Sequence, residues 1–169
     1  ALIFVIITIT LLRRLINIFP SLMACTIRWK ESINLEASVK HSLDRDMLAA
    51  AMFIPFCLAV ERFGLYSPRF MENMNPDLHL TVFIGIFMLY CILRTLTSKM
   101  IKARKMSPKI YKTAGRASFT FFIILTLVLL LTGGVLDFIG IDQAHIRIAM
   151  LCVSAFIYAL FLLRKFQIF

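Results

Sequence analysis

Acidic residues are scarce in this sequence, with nine aspartates and glutamates against 19 lysines and arginines, for a net charge of +10. Short catalytic signatures are also missing. There is no H-E-x-x-H, no G-x-S-x-G, no P-loop and no dinucleotide-binding glycine fingerprint. The segment "FIGID" has one aspartate after a glycine, but it lacks the second aspartate and the flanking glycine of an intramembrane aspartyl protease. These enzyme classes therefore lack their essential residues.

Cysteine is rare and scattered. None of the four cysteines (Cys25, Cys57, Cys91 and Cys152) forms a C-x-x-C pair, so the sequence indicates neither a disulfide framework nor a zinc site. All four lie in or beside apolar stretches, where cysteine commonly acts as a small packing residue. No internal repeat suggests an inverted-repeat transporter.

Apolar residues dominate instead. They make up 60% of the chain, and the mean hydropathy is +0.87. Globular domains contain roughly 45–50% apolar residues. The apolar residues also occur in blocks, which is typical of lipid-facing helices. The sequence therefore predicts an all-α integral membrane protein, a bundle of about five transmembrane helices in one domain.

The five predicted spans are residues 1–27 in part, 47–66, 80–98, 117–136 and 144–163. The first apolar run stops at Arg13 and Arg14, and residues 15–27 are either its continuation or a short helix at the surface. The sequence lacks an initiator methionine, so we expect the first helix to start upstream. Pro55 is expected to kink the second span.

The basic residues fix the predicted orientation. With the basic loop 99–116 in the cytoplasm, only Arg62, Arg69 and Arg147 of the 19 basic residues fall outside. The positive-inside rule then predicts that the N-terminus lies outside and the C-terminus in the cytoplasm. We expect the membrane to be a bacterial inner membrane, although the same rule holds in other membranes. No nucleic acid is needed to explain the charge, since the loop offers only Tyr111 for base stacking. The predicted contacts to anionic headgroups are Trp29, Arg94, Lys99, Lys102, Arg104, Lys105, Lys109, Lys112 and Arg116.

Residues 32–46 are predicted to form one amphipathic cytoplasmic helix. Its apolar stripe consists of Leu35, Val39, Leu43 and Met47, and Glu36 precedes Lys40 in the order that favours a helical ion pair. Such a helix would lie on the membrane, dock another subunit, or extend the second span into solvent.

Two groups of residues are candidate sites. Glu61, Arg62, Asp137 and Asp142 would form an outer vestibule for solute or ion transport, although an acid–base pair close to the membrane boundary is also an ordinary interfacial feature. His79 and His145 each precede an inbound helix on the outer side and would ligate haem. Met71 and Met74 together with His79 would suit copper(I). Histidine and methionine are equally ordinary at interfaces, and we predict no cofactor.

The order of segments resembles an uncharacterised family of bacterial multi-spanning inner-membrane proteins. The resemblance rests on "RWKESINLEASVKHSLDRDMLAAAMFIPFCLAV", where a polar linker runs into a span, on the basic loop before the fourth span, and on "YALFLLRKF". It implies a further C-terminal helix after Phe169 and no catalytic residues.

The functional hypothesis is a non-enzymatic membrane subunit or scaffold that acts through helix–helix contacts with partner subunits or with copies of itself. Its alternatives are a small-solute or ion transporter or channel subunit, and a redox subunit that binds haem or a metal. The sequence identifies neither a substrate nor a partner.

Overall fold

The computed structural model describes residues 2–66, 76–100 and 108–168, and their regular structure is entirely α-helical. The elements within these ranges are α1 (Leu2–Ile27), α2 (Trp29–Ala37), α3 (Val39–Ala51), α4 (Phe53–Arg62), α5 (Pro76–Met100), α6 (Pro108–Phe138) and α7 (Gln143–Ile168).

Within the described residues, three helices are long and apolar enough to cross a membrane: Leu78–Thr97, Thr113–Phe138 and Gln143–Gln167. They coincide with three of the five predicted spans. The last two form an antiparallel hairpin that turns at Gly140, whose φ of +79° suits glycine, and this hairpin has the largest interface in the fold. The rings of Phe121 and Phe161 pack across it with centroids 5.5 Å apart.

The predicted second span is divided between α3 and α4. The helix is interrupted at Met52, and Pro55 has no N–H to donate to the carbonyl of Ala51. The two helices nevertheless follow α6 together. Asp46 lies 3.6 Å from Arg116 at one end, and the ring of Phe63 covers Gly133 at the other. The two contacts lie about 26 Å apart along α6, and their partners Asp46 and Phe63 lie about the same distance apart along α3 and α4. Helices α3 and α4 together therefore lie alongside nearly the whole span of α6.

The structure corrects the single helix that was predicted for residues 32–46. Ser38 has extended backbone angles (φ −86°, ψ 107°), which end α2, and its side chain accepts a hydrogen bond from the N–H of His41 in α3. Of the predicted apolar stripe, Leu35 in α2 is buried, whereas Val39, Leu43 and Met47 in α3 are exposed. The buried face of α3 consists of Ser42, Arg45, Leu48 and Ala49.

Residues 15–27 continue α1, which runs unbroken through Pro20 and lies across the bundle. Arg14 binds Asp44 of α3 at 3.0 Å, while the carbonyl of Thr26 accepts a hydrogen bond of 2.8 Å from Arg164 of α7. These two positions are about 18 Å apart along α1, yet both partners lie at the end of the bundle where α6 carries Arg116. The buried face of α1 (Ile18, Leu22 and Cys25) packs in one cluster with Leu48, Ala49, Ile123 and Ile124.

Helix α5 lies apart from the rest, with α4 as its main neighbour. Phe83 is the only buried residue among the described side chains of α5. Because α4 begins at Phe53, it reaches only one half of α5, and the other half approaches α6 and α7 without an intervening helix.

We predict that Gly133→Ala lowers the thermal unfolding temperature and that Gly134→Ala does not. A Cβ at Gly133 would lie 2.5 Å from the ring of Phe63, whereas nothing lies within 4 Å of one at Gly134. Both substitutions gain the same helix propensity. Overpacking costs about 1–3 kcal/mol, so the difference between the variants isolates the clash. Thermal unfolding in detergent measures it, and equal melting temperatures would contradict the packing described for Phe63.

Candidate functional site

Four charged side chains form an ion-pair network where α2, α3 and α6 meet. Glu36 of α2 accepts a hydrogen bond of 3.1 Å from Arg45 and one of 2.8 Å from Arg116. Asp46 lies 2.8 Å from Arg45 and 3.6 Å from Arg116. Two arginines thus face two carboxylates, and the cluster is electrically balanced. We call these four residues the ionic network, and the end of the bundle where they lie the network end.

The ionic network matters for stability because two of its charged side chains are largely buried. The side chains of Arg45 and Glu36 are only 3% and 9% exposed. Removing one partner from a buried pair strands an uncompensated charge. Among the described, unexposed residues, every buried side-chain nitrogen or oxygen has a hydrogen-bond partner, as a helical bundle in lipid requires. The network therefore fixes α2 and α3 against the start of α6.

Sequence reasoning missed the ionic network. It assigned Arg116 to lipid headgroups and Glu36 to a local pair with Lys40. The available signal was the position of Glu36 and Asp46 inside a strongly basic segment, because acidic residues there are natural partners for arginines. The pairing itself depends on tertiary approach between residues 80 positions apart.

The transport candidates lie at the opposite end, where the structure brings some of them together. Arg62 at the end of α4 lies 3.7 Å from Asp137 of α6, with side-chain exposures of 69% and 46%. Asp142 instead lies 3.7 Å from His145 in the first turn of α7. Glu61 is half-buried. At this exposure, the ion pair between Arg62 and Asp137 contributes little stability. The transport hypothesis remains a prediction.

The metal and haem candidates are only partly within the described residues. Met71 and Met74 lie outside them. His79 lies in the first turn of α5, and His145 is exposed beside Asp142. In the part of the chain that the structure describes, no three His, Cys, Asp or Glu side chains are grouped as metal ligands would be. The redox hypothesis therefore remains untested.

A lateral groove runs between α5 and the α6–α7 hairpin, and three aromatic rings divide it. Phe87 of α5 packs on Phe56 at 5.2 Å and on Phe122 at 5.8 Å between centroids. The upper groove, towards the end opposite the network, has a volume of about 310 Å³, and its lining is apolar except for Ser154 and the hydroxyl of Tyr66.

The lower groove, towards the network end, has a volume of about 380 Å³ and combines aromatic rings with two cations. Arg94 of α5 and Lys165 of α7 both line it. Arg94 was a predicted headgroup contact, whereas Lys165 was not. The side chains of the other predicted headgroup contacts, apart from Arg116, lie outside the described part of the structure: Trp29, Lys99, Lys102, Arg104, Lys105, Lys109 and Lys112.

Replacing Glu36 with glutamine is predicted to destabilise the fold by about 1–3 kcal/mol, because Arg45 and Arg116 then keep only Asp46 as a carboxylate partner. Glu31→Gln is the matched control on the same helix. Its carboxylate accepts a hydrogen bond from Asn34 and takes no part in the network. Thermal unfolding in detergent, compared between the two variants, tests this. Similar melting temperatures would show that the network does not hold α2 and α3 in place.

Comparison with known proteins adds no relative: no protein-family model, no curated protein and no solved structure matches the chain. The contacts described above therefore carry the functional interpretation.

Proposed function

We propose that this protein is a non-enzymatic subunit or scaffold of a larger complex in the bacterial inner membrane, and that it works through helix–helix contacts. The three membrane-crossing helices provide its lipid-embedded part, and the α3–α4 segment accompanies α6 as a fourth crossing.

The observation that carries the proposal is the isolation of α5. Within the described chain its main contact is α4, which reaches only half its length. A membrane helix gains little from burying leucine against a protein instead of lipid, since lipid tails are equally apolar. Close backbone approach and good packing decide whether such helices associate. An isolated helix with a suitable packing face is therefore a natural docking element.

Such a face exists on α5. Its residues are spaced alternately four and three positions apart, as in the interface of a left-handed helix pair. They are Leu78, Val82, Gly85, Leu89, Ile92 and Leu96. None of them is buried. Gly85 lies at the middle, and no atom stands within 4 Å of the place where its Cβ would be. Small residues at this position allow two backbones to approach closely.

The charge distribution supports an orientation with the network end in the cytoplasm. Arg14, Arg45, Arg116 and Arg164 lie at that end, whereas Arg62 and Arg147 lie at the other. The positive-inside rule counts lysines and arginines near the ends of spans, regardless of whether they are paired. This orientation also directs the basic loop 99–116 into the cytoplasm.

Single cysteines are predicted to report this orientation. In a variant whose four native cysteines are replaced by alanine, Asp142→Cys should react with a membrane-impermeant maleimide in intact spheroplasts. Gln167→Cys should react only after permeabilisation. Both side chains are exposed, so access rather than burial decides the result. Labelling with the reverse pattern would overturn the proposed orientation.

We predict that Gly85→Leu abolishes most association with partner chains while leaving the fold intact. The new side chain enters open space in the monomer but obstructs a close helix partner. An overpacked interface loses 1–3 kcal/mol, which lowers partner recovery by about tenfold. Quantitative mass spectrometry of proteins that co-purify in mild detergent measures this.

Gly134→Leu is the matched control, since Gly134 is also open but lies on α6, away from the α5 face. Its melting temperature and co-purifying proteins should equal those of the wild type. If the wild type purifies as a lone monomer, or if Gly85→Leu retains every partner, the proposed function is wrong.

A further inference from the structure

The two walls of the lower groove carry the same series of side chains. On each wall an aromatic residue is followed by a second aromatic residue three positions later and by a cation four positions after that, which places all three on one face of the helix. The series is Phe87, Tyr90 and Arg94 on α5, and Tyr158, Phe161 and Lys165 on α7. These two segments are far apart in the chain, so no local sequence pattern connects them.

The aromatic residues form a continuous apolar lining. Ring centroids lie 6.0 Å apart for Phe87 and Tyr90, 6.1 Å apart for Tyr158 and Phe161, and 5.5 Å apart for Phe161 and Phe121 of α6. Tyr90 and Tyr158 are more than half exposed, so the lining reaches the outer surface of the bundle. The volume of about 380 Å³ falls within the range of small-molecule sites. Such a lining suits a hydrocarbon chain.

The two cations lie at the network end of two helices that are long and apolar enough to cross a membrane. Arg94 and Lys165 occupy the last turns of the spans Leu78–Thr97 and Gln143–Gln167. Lys165 Nζ lies 5.7 Å from the centroid of Phe161, so it remains above the aromatic lining. Among the described residues, neither cation forms an ion pair with a carboxylate, in contrast to Arg116 in the ionic network. Both positive charges therefore remain available to an anion.

We propose that the lower groove binds one acidic phospholipid from the leaflet at the network end. The phosphate lies between Arg94 and Lys165, and one acyl chain lies along Tyr90, Phe121 and Phe161. A guanidinium matches phosphate geometry with two parallel hydrogen bonds, and an ammonium adds a compact charge. A partner helix would also fill the groove, but it would cover two unpaired cations with apolar side chains. The charges therefore favour a lipid.

The decisive experiment compares two double variants in their binding of palmitoyl-oleoyl-phosphatidylglycerol. Arg94→Gln with Lys165→Gln removes both groove cations, while Arg13→Gln with Arg28→Gln removes two exposed cations outside the groove. Native mass spectrometry of the detergent-purified protein, titrated with the lipid, gives the affinities. We expect the groove variant to bind about tenfold or more weakly, at about 1 kcal/mol per basic residue, and the control to bind like the wild type.

Each competing explanation gives its own result. Equal losses in both double variants would show a general attraction of the basic face and overturn the site. Equal affinity for palmitoyl-oleoyl-phosphatidylcholine would show that net headgroup charge is not recognised. Equal thermal stabilisation by inorganic phosphate would show an anion site without a role for the chain. Without lipid, the melting temperature of the groove variant should match that of the wild type, since neither cation is buried.

A photo-crosslinking residue in the groove identifies the occupant directly. Tyr158→p-benzoylphenylalanine preserves an aromatic side chain on the exposed wall of the groove. Irradiation in native membranes should attach phospholipid, seen as a mass increase on the peptide that contains position 158. Attachment to a second copy of the chain or to another polypeptide would overturn the proposal, because a helix would then be the occupant.

Discussion

The contact between Glu36 and Arg116 joins the polar helices at the network end to α6, beside the apolar cluster that contains Leu35, Leu48 and Ala49. Arg116 stands just before the apolar part of α6, and Glu36 brings α2 to it while Arg45 and Asp46 bring α3. Once α3 is set, α4 must begin beside the middle of α6. Helix α1 then lies over α3, α6 and α7. Buried charge pairs are poor sources of net stability, but they strongly penalise alternative arrangements in which one partner is left alone.

Helix α4 is short because α3 is held at the network end, and the short length of α4 leaves the lateral groove open. Helix α3 packs against α1 and takes part in the ionic network. Only the ten residues Phe53–Arg62 of α4 are therefore left to pack against α5. Beyond Phe87, α5 has no helix between itself and the α6–α7 hairpin. The rings of Phe56, Phe87 and Phe122 close that space at its middle. The lateral groove is thus the space beside α5 that the short helix α4 does not fill.

The sequence predicts the parts of this fold that depend on local composition. A long apolar run requires a helix in lipid wherever its neighbours lie, so α5, α6 and α7 could be located directly. The break at Ser38, the crossing of α1 and the pairing of Arg116 with Glu36 could not, because each depends on contacts between distant residues. The stripe Val39, Leu43 and Met47 is exposed, whereas the buried face of α3 carries Arg45, which the apolar periodicity did not indicate. The sequence predicted α5 and α7 as separate helices, but it did not predict that they form the two walls of the lower groove.

The basic residues at the network end have two different roles, and a count of positive charges does not distinguish them. Arg14, Arg45 and Arg116 are paired with Asp44, Glu36 and Asp46. These arginines count toward the proposed orientation, but their electric fields are largely cancelled by the paired carboxylates. Arg94 and Lys165 have no such partner among the described residues, and they line the lower groove beside aromatic rings. The proposed lipid site therefore adds a local attraction at the lower groove to the general attraction of the basic face.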